Sequence, residues 1–404
     1  MPGADPLPPS ELSPTQRRAA ALKFIVCLGV VSLFADMTYE GAHSIIGPYL
    51  KDLGASAFQV ALIAGVGEMI AASLRYFSGR FADQSRAYWT ITYLGYAMNV
   101  VAVPALAFAQ NWQTAAILVI AERTGKALRG PARDVLLSGA TEEVGHGWGF
   151  GIHSVMDQTG AVIGPLLMVA GVARTNHFGP TFLWLAFPAV GTLLALTAAK
   201  IINRDWVRSA KSTAPQELPK LFWTYVAAAG FLACGFVDFP VLSFHFQTLS
   251  LMSPATIPLL YAGAMAVNGL TALIFGRLFD KFGLNVLVFG IFISLLSLPF
   301  GFLGGAFFNA TTAAIIAVAC WATGLGAQDA CLRSGIASVV SMNKRGTAFG
   351  AFNGVYGVAW FLGSATMGFL YTRSILGLVI FGVAAQLIAA AMFYRLRDMI
   401  PETA

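Results

Sequence analysis

Charge is what this chain has least of. Asp, Glu, Lys and Arg make up 11% of its 404 residues, against about a quarter in an ordinary soluble domain. So few charges cannot cover a water-facing surface, which excludes a soluble globular protein of this size. Cysteine is scarce as well. Cys27, Cys234, Cys320 and Cys331 all fall in apolar stretches and show no metal-ligand spacing, which argues against a disulfide framework. Motifs of catalysis are missing too: no phosphate-cradling Gly-x-x-x-x-Gly-Lys-Ser/Thr loop, no Gly-x-Ser-x-Gly elbow and no His-Glu-x-x-His helix occurs. An ATP-driven pump and an intramembrane enzyme both lose their usual chemistry, and no cofactor is expected.

What is abundant is hydrophobic sequence, 57% of the chain, with a mean hydropathy of +0.70. A helix crossing a bilayer needs about 20 mostly apolar residues. Twelve such segments can be counted, at 23–50, 56–77, 88–108, 113–134, 147–172 and 180–200, then 220–246, 254–276, 284–303, 311–335, 347–371 and 374–394. They predict an all-α polytopic membrane protein whose principal partner is the lipid bilayer. The expected divisions are a tail at 1–22, a first half at 23–202, a polar linker at 203–219, a second half at 220–394 and a tail at 395–404. The first 22 residues are Pro-rich and polar, without the short apolar core of a signal peptide.

The net charge of +6 is explained by its placement. Lys and Arg collect on the cytoplasmic side of membrane proteins. With the N-terminus inside, only Lys51, Arg174 and Arg373 lie at outer loops, while Arg17, Arg18, Arg80, Arg86, Arg204, Arg208, Lys281, Lys344 and Arg395 lie at inner ones. Both termini and the linker are therefore expected in the cytoplasm, and nucleic-acid binding is not.

The halves echo one another. Gly79-Arg80-Phe81-Ala82-Asp83 follows span 2, and Gly276-Arg277-Leu278-Phe279-Asp280-Lys281-Phe282-Gly283 follows span 8, 197 residues later. Gly147 to Gly151 opens span 5, as Gly346 to Gly350 opens span 11, at an offset of 199. Phe34-Ala35-Asp36 with His43 matches Phe236-Val237-Asp238 with His245, at an offset of 202. Three echoes near half the chain length indicate an internal duplication. Parallel six-helix repeats are the plan of a large transporter class in which substrate binds between the halves.

On these features the sequence resembles the major facilitator superfamily over essentially its whole length. The likeness rests on the six-plus-six layout and the Gly-x-x-x-Asp stretches after spans 2 and 8. It rests also on Gly160-Ala161-Val162-Ile163-Gly164-Pro165 in span 5, similar to a run found in exporters of that superfamily. The first Gly-x-x-x-Asp stretch departs from the family pattern, with Gln84 where a basic residue is usual and Arg86 where a glycine is. The run Glu122-Arg123-Thr124-Gly125-Lys126, followed by Arg129, Arg133 and Asp134, is similar to that of a bacterial efflux-type branch. The resemblance implies twelve transmembrane helices in two pseudo-twofold-related halves, in a cell's inner membrane. It also implies a secondary active transporter working by alternating access, in its efflux form an exporter exchanging protons for a small solute. Uptake by symport, or export of a divalent transition metal, are the alternatives. A monomer is expected.

In that fold spans 1, 4, 7 and 10 line a central cavity, while 3, 6, 9 and 12 lie outermost. Independently, the interiors of spans 3, 6, 9 and 12 carry no Asp, Glu, Lys, Arg or His. Ionisable groups fall instead on span 1 (Asp36, Glu40, His43), span 2 (Glu68), span 4 (Glu122, Arg123, Lys126), span 5 (His153, Asp157), span 7 (Asp238, His245) and span 10 (Asp329, Arg333). Charge inside a membrane faces the bundle interior or a water-filled cavity. The spacing of Asp36, Glu40 and His43 puts them on one helix stripe; Asp238 and His245, seven apart, would share a stripe on span 7. A desolvated carboxyl can bind and release protons near neutral pH, so Asp36, Glu40, Glu68, Glu122, Asp157, Asp238 and Asp329, with Arg123, are the candidate coupling or substrate residues. Each also has a purely structural alternative, such as a permanent pair of Glu122 or Asp157 with Arg123. Lys126 and Arg129 are expected to snorkel to the cytoplasmic face. Imidazoles with carboxylates suit transition metals, making His43 and His245 weak metal candidates without a dense ligand pattern. For gating, the resemblance implies that Asp83 and Asp280 meet a helix N-terminus of the other half, with Arg129 or Arg133 completing the Asp83 site. Gly160, Gly164 and Pro165 mark a close approach or bend.

Overall fold

Serine caps, not hydropathy, decide where the first helices begin. Ser13 and Gln16 exchange side-chain and backbone hydrogen bonds in a capping box, as do Ser56 and Gln59, each pair satisfying donors that a helix start leaves orphaned. The first helix therefore starts at Pro14, inside the stretch that hydropathy reads as a tail. The computed structural model describes residues 13–144, 146–202, 218–306, 308–340 and 345–397. The expected linker and both terminal tails fall largely outside these, as do the side chains of Asp83 and Asp280.

The described residues form twelve long helical spans and no strand. In order these are Pro14–Asp52, Ala57–Ser85, Tyr88–Phe108, Trp112–Val144, His146–Thr175, Phe178–Ile202, Lys220–Thr248, Thr256–Phe282, Leu284–Leu303, Ala310–Val339, Arg345–Arg373 and Ile375–Leu396. Ten are long and apolar enough to cross a membrane. The exceptions are span 4, which carries several charges, and the glycine-rich span 11.

Several boundaries differ from the expected ones. Span 2 continues to Ser85 and span 8 to Phe282, so Asp83 and Asp280 sit in helix and not in loops. Hydropathy ends a span at its first charges, whereas backbone hydrogen bonding carries the helix on into the polar zone. Both helices then stop at matching positions with positive φ, Arg86 at 53° and Gly283 at 57°. Glycine enters this region without a Cβ clash; the arginine of the first repeat does so against its preference.

Spans 1 and 5 make the closest pair. The hydrogen-only faces of Gly160 and Gly164 lie on the backbone of Leu33 and Met37, where any Cβ would collide; small residues four apart allow such approach. Span 3 packs on 4 and 6, and span 9 on 10 and 12. Their outer faces, with Leu94, Val101, Phe289 and Phe292 exposed, suit lipid. The halves meet where span 2 packs on 11, span 5 on 8, and span 1 on the latter part of 7.

This contact is lopsided. Near the terminal face, where span 1 begins and span 12 ends, one apolar cluster (Phe24, Leu28, Tyr96, Leu136, Leu196) belongs wholly to the first half and another (Phe222, Leu287, Ile336, Phe393) wholly to the second. Toward the opposite face the clusters mix: Phe244 packs among first-half residues, and Ala61 and Ala161 among second-half ones. There Gly47 seats against the Pro240 carbonyl, Gly65 against Phe361 and Ser364, and Gly368 against Phe58 and Ala61. Gln247 also donates to Asp52 across the seam at 2.8 Å. The molecule is sealed at the opposite face and parted at the terminal one.

Candidate functional site: the central cavity

A break in span 7 shapes one wall. Pro240, early in the segment Phe239–Thr248, cannot donate to the carbonyl four residues back. The helix stops at Gly235 and restarts at Phe239, with Asp238 extended at φ −73°, ψ 141°. A carbonyl freed here is not left bare, since the Trp321 indole donates to Val237 O at 2.8 Å. Asp238 and His245 therefore do not share a stripe. The Asp238 carboxylate accepts from Trp360 Nε1 at 2.8 Å and Ser364 Oγ at 2.5 Å. His245 instead meets the Tyr371 hydroxyl at 2.9 Å, beside Phe302.

Between the halves lies a cavity of about 390 Å³. Asp36, Glu40 and His43 all line it, so the span 1 stripe holds. Glu68, Asp157, Asp238 and Asp329 join them, with Lys126, Arg75 and Arg333 as the bases. Most of the aromatic lining comes from the second half: Phe239, Tyr261, Trp321, Phe352, Tyr356 and Trp360.

Arg123 does not line this cavity itself but stands behind its first-half wall, against the wall residues Glu68 and His43. Only 5% of its side chain is exposed, and it pairs with Glu68 at 2.7 Å and more loosely with Glu122 at 3.8 Å. It also reaches His43 Nδ1 at 3.0 Å. A guanidinium has only donors, so this bond takes the Nδ1 lone pair and leaves the imidazole neutral with its proton on Nε2. Close by, Lys126 does not snorkel. Its ammonium stands 3.2 Å from the Tyr39 ring centroid, a cation–π contact, and 4.0 Å from Glu40. Glu40 accepts from the Tyr261 hydroxyl at 2.6 Å, a bond between the two halves.

Other expected residues go elsewhere. Glu122 does not line the cavity; Asn99 donates to its carboxylate at 3.0 Å, and it borders a smaller pocket among spans 1 to 4 that Pro240 of span 7 also touches. Arg129 is 3% exposed and turned to span 3, donating to Asn99 at 3.1 Å and lying over the Tyr96 ring. Arg133 pairs with Asp134 at 2.9 Å and donates to Ser32 at 3.0 Å. His153 shares Ser32 and meets Asp157 at 3.4 Å. Asp157 thus pairs with His153 and not with Arg123. Gly160 and Gly164 belong to the span 1–span 5 packing inside the first half, and Pro165 is buried within span 5 beside them. His43 and His245 are not brought together, and no group of three His, Cys, Asp or Glu among the described residues is placed to hold a metal.

Sequence reading missed part of the site. Arg75 was legible as one more charge inside a span. Gln158, Asn268, Gln328, Tyr261, Tyr356, Trp321 and Trp360 also line the cavity, but aromatic residues are common throughout this chain and uncharged amides carry no penalty large enough to mark them.

The chain as a whole has counterparts among known proteins. An uncharacterised protein of Mycobacterium tuberculosis is 38% identical over 398 residues, covering 96% of both chains. An uncharacterised MFS-type transporter of Methanocaldococcus jannaschii is 25% identical over 365 residues, 87% of this chain and 89% of that one. Among solved structures, the nucleoside transporter NupG matches with a TM-score of 0.71 at 12% identity, over 92% of this chain and 98% of its own. A bacterial homologue of the lysosomal transporter Spinster, inward-facing and occupied, matches with a TM-score of 0.70 at 14% identity, over 93% and 96%. At such identities the likeness is one of fold. A family model supplies the assignment itself: residues 27–364 match it, and this chain belongs to the Major Facilitator Superfamily.

Proposed function

We propose that the protein is a proton-coupled exporter working by alternating access, with the central cavity as its single transport site. The cavity carries the reading: both halves line it, one face of the molecule seals it, and titratable groups cross the seam. With both termini in the cytoplasm of an inner-membrane protein, the parted face is the inner one. A cavity complete within one chain suits a monomer.

Glu40 supplies the coupling. As a carboxylate it attracts Lys126 and takes a charge-assisted bond from Tyr261; such bonds are roughly twice as strong as neutral ones. A proton on Glu40 removes the attraction to Lys126 and weakens the Tyr261 bond, so it loosens the halves near the sealed face. Asp36, on the same stripe, faces the cavity and is free to exchange a proton for a solute. Asp83 and Asp280, on the inner ends of spans 2 and 8, favour helix N-termini of the opposite half when that face closes.

The test uses proteoliposomes with an imposed pH gradient and a panel of amines, lipophilic cations and divalent metals. Asp36→Asn with Glu40→Gln is expected to reduce gradient-driven flux to the level of empty liposomes while the elution profile stays monodisperse. Unchanged gradient-driven flux in the double variant would remove span 1 from the coupling. Flux that ignores the gradient in the parent protein would make it a facilitator.

A further inference from the structure

We infer that the ligand of this cavity is an organic cation that donates several N–H hydrogen bonds, a primary ammonium or amidinium on an aromatic body, and that quaternary ammonium ions bind poorly. This rests on reading the cavity as the transport site.

Charge alone does not carry the inference, because much of it is spent. Glu68 is held by Arg123, Glu40 by Tyr261, and Asp238 by Trp360 and Ser364. Three carboxylates keep capacity. Asp36 makes no hydrogen bond to any described residue, Asp157 leaves Oδ1 buried without a partner, and Asp329 accepts only a long 3.5 Å hydrogen bond from Asn268, with the Arg333 charge one turn further along its helix. Of the bases, Arg75 and Arg333 sit toward the parted mouth, and Lys126 is occupied by Tyr39 and Glu40.

The uncharged amides give the second, independent observation. Asn268 is 5% exposed, lines the cavity, and its Oδ1 has no partner. Its Nδ2 faces Asp329; turning the amide over would set two acceptors against each other, so the oxygen is the free end. Gln158 Oε1, also in the wall, is likewise buried and unpartnered. It lies against span 8 one residue further on, 3.2 Å from where a Cβ on Gly269 would stand. Buried polar groups without partners are unfavourable, and these two acceptors gather where spans 5 and 8 join the halves; the wall also holds one buried donor without a partner, Gln328 Nε2, which a ligand acceptor would meet. A ligand with several N–H groups supplies the missing donors; a trimethylammonium group supplies none.

The facing wall selects the rest of the ligand. The indole N–H groups of Trp321 and Trp360 are already given to Val237 O and Asp238, so these residues offer ring faces. Ring faces attract both cations and other aromatic rings.

Binding can be measured on purified protein in detergent, by intrinsic tryptophan fluorescence with 2-phenylethylammonium and its N,N-dimethyl and N,N,N-trimethyl derivatives. Affinity is expected to fall with each lost N–H, by about tenfold or more across the series, equivalent to about 1.4 kcal/mol. Asn268→Leu should flatten the series, and Asp36→Asn should weaken all members; unfolding midpoints near the parent's show that both variants are folded. Equal affinity for the primary and quaternary ions overturns the inference, as does silence toward all three. An unflattened series in Asn268→Leu does so too. Proteoliposome flux separates the two readings. Amine binding without gradient-driven movement keeps the ligand class and sinks the transporter proposal, while movement of the quaternary ion alone does the reverse.

Discussion

Arg123→Gln is expected to lower the unfolding midpoint sharply and to stop flux, and adding Glu68→Gln should restore the midpoint without restoring flux. The reason is the asymmetry of buried ion pairs. Removing one member leaves the other charged with no counterion, at a cost of about 3–5 kcal/mol, whereas replacing both members by neutral groups is often harmless. Arg123 is almost wholly buried, but the Glu68 side chain is 34% exposed to the cavity, so water recovers part of the loss and about 3 kcal/mol is the expected figure. Glu122 keeps its bonds from Asn99. His43 loses its charged donor in both variants, which frees Nδ1 and removes the fixed tautomer, so flux should not return. Thermal unfolding followed by a thiol-reactive dye suits this chain, since Cys331 is buried and Cys27, Cys234 and Cys320 are partly buried. An unchanged midpoint for Arg123→Gln would show that Glu68 is held by cavity water and not by the arginine.

Gly47→Leu is expected to drive the molecule open at its opposite face. Gly47 presses on the Pro240 carbonyl and the Ser243 side chain across the seam, and even a Cβ overlaps both. The pressed groups are backbone and a short side chain, so neither can swing aside. Relief comes from parting span 1 from span 7, which is the movement alternating access needs. A substituent tolerated in only one of two states shifts the population by the difference in its free energy between them, and about 5.5 kcal/mol takes 1:99 to 99:1. The measurement is the accessibility of a cysteine at Asn353, which lines the cavity, in a protein whose native cysteines are replaced. Labelling by an impermeant reagent added at the terminal face should fall several-fold in Gly47→Leu and rise from the opposite face. Retained labelling at the terminal face together with a large fall in thermal stability would mean that the seam is a rigid core and does not part.

The spacing rule for a helix worked on span 1 and failed on span 7, and the contrast shows what one dimension of sequence can carry. Asp36, Glu40 and His43 line the cavity together because nothing interrupts the hydrogen bonding between them. Asp238 and His245 have the same spacing, yet Pro240 breaks the ladder in between and sends the imidazole to Tyr371. That proline stood in the sequence; what it lacked was a reason to outweigh the apolar run around it. The pairing of Arg123 followed a similar course. Its neighbour Glu122 is adjacent in sequence but points toward Asn99, because consecutive residues on a helix face about 100° apart. Glu68 and His43, from other helices, take the guanidinium.

Sequence by itself determined the medium, the number of crossings, the duplication and the set of helices that carry charge. Each of these follows from the cost of polar groups in hydrocarbon, which is a property of a residue and its near neighbours. Tertiary structure alone decided which carboxylates are spent and which are free, that Lys126 turns inward over Tyr39, that Glu40 is tied to Tyr261 across the seam, and that the cavity is sealed at one face. Those outcomes depend on the rotation and depth of helices packed from distant parts of the chain, and on uncharged partners such as Asn99 and Asn268, whose burial costs too little to leave a mark until the donor or acceptor opposite them is known.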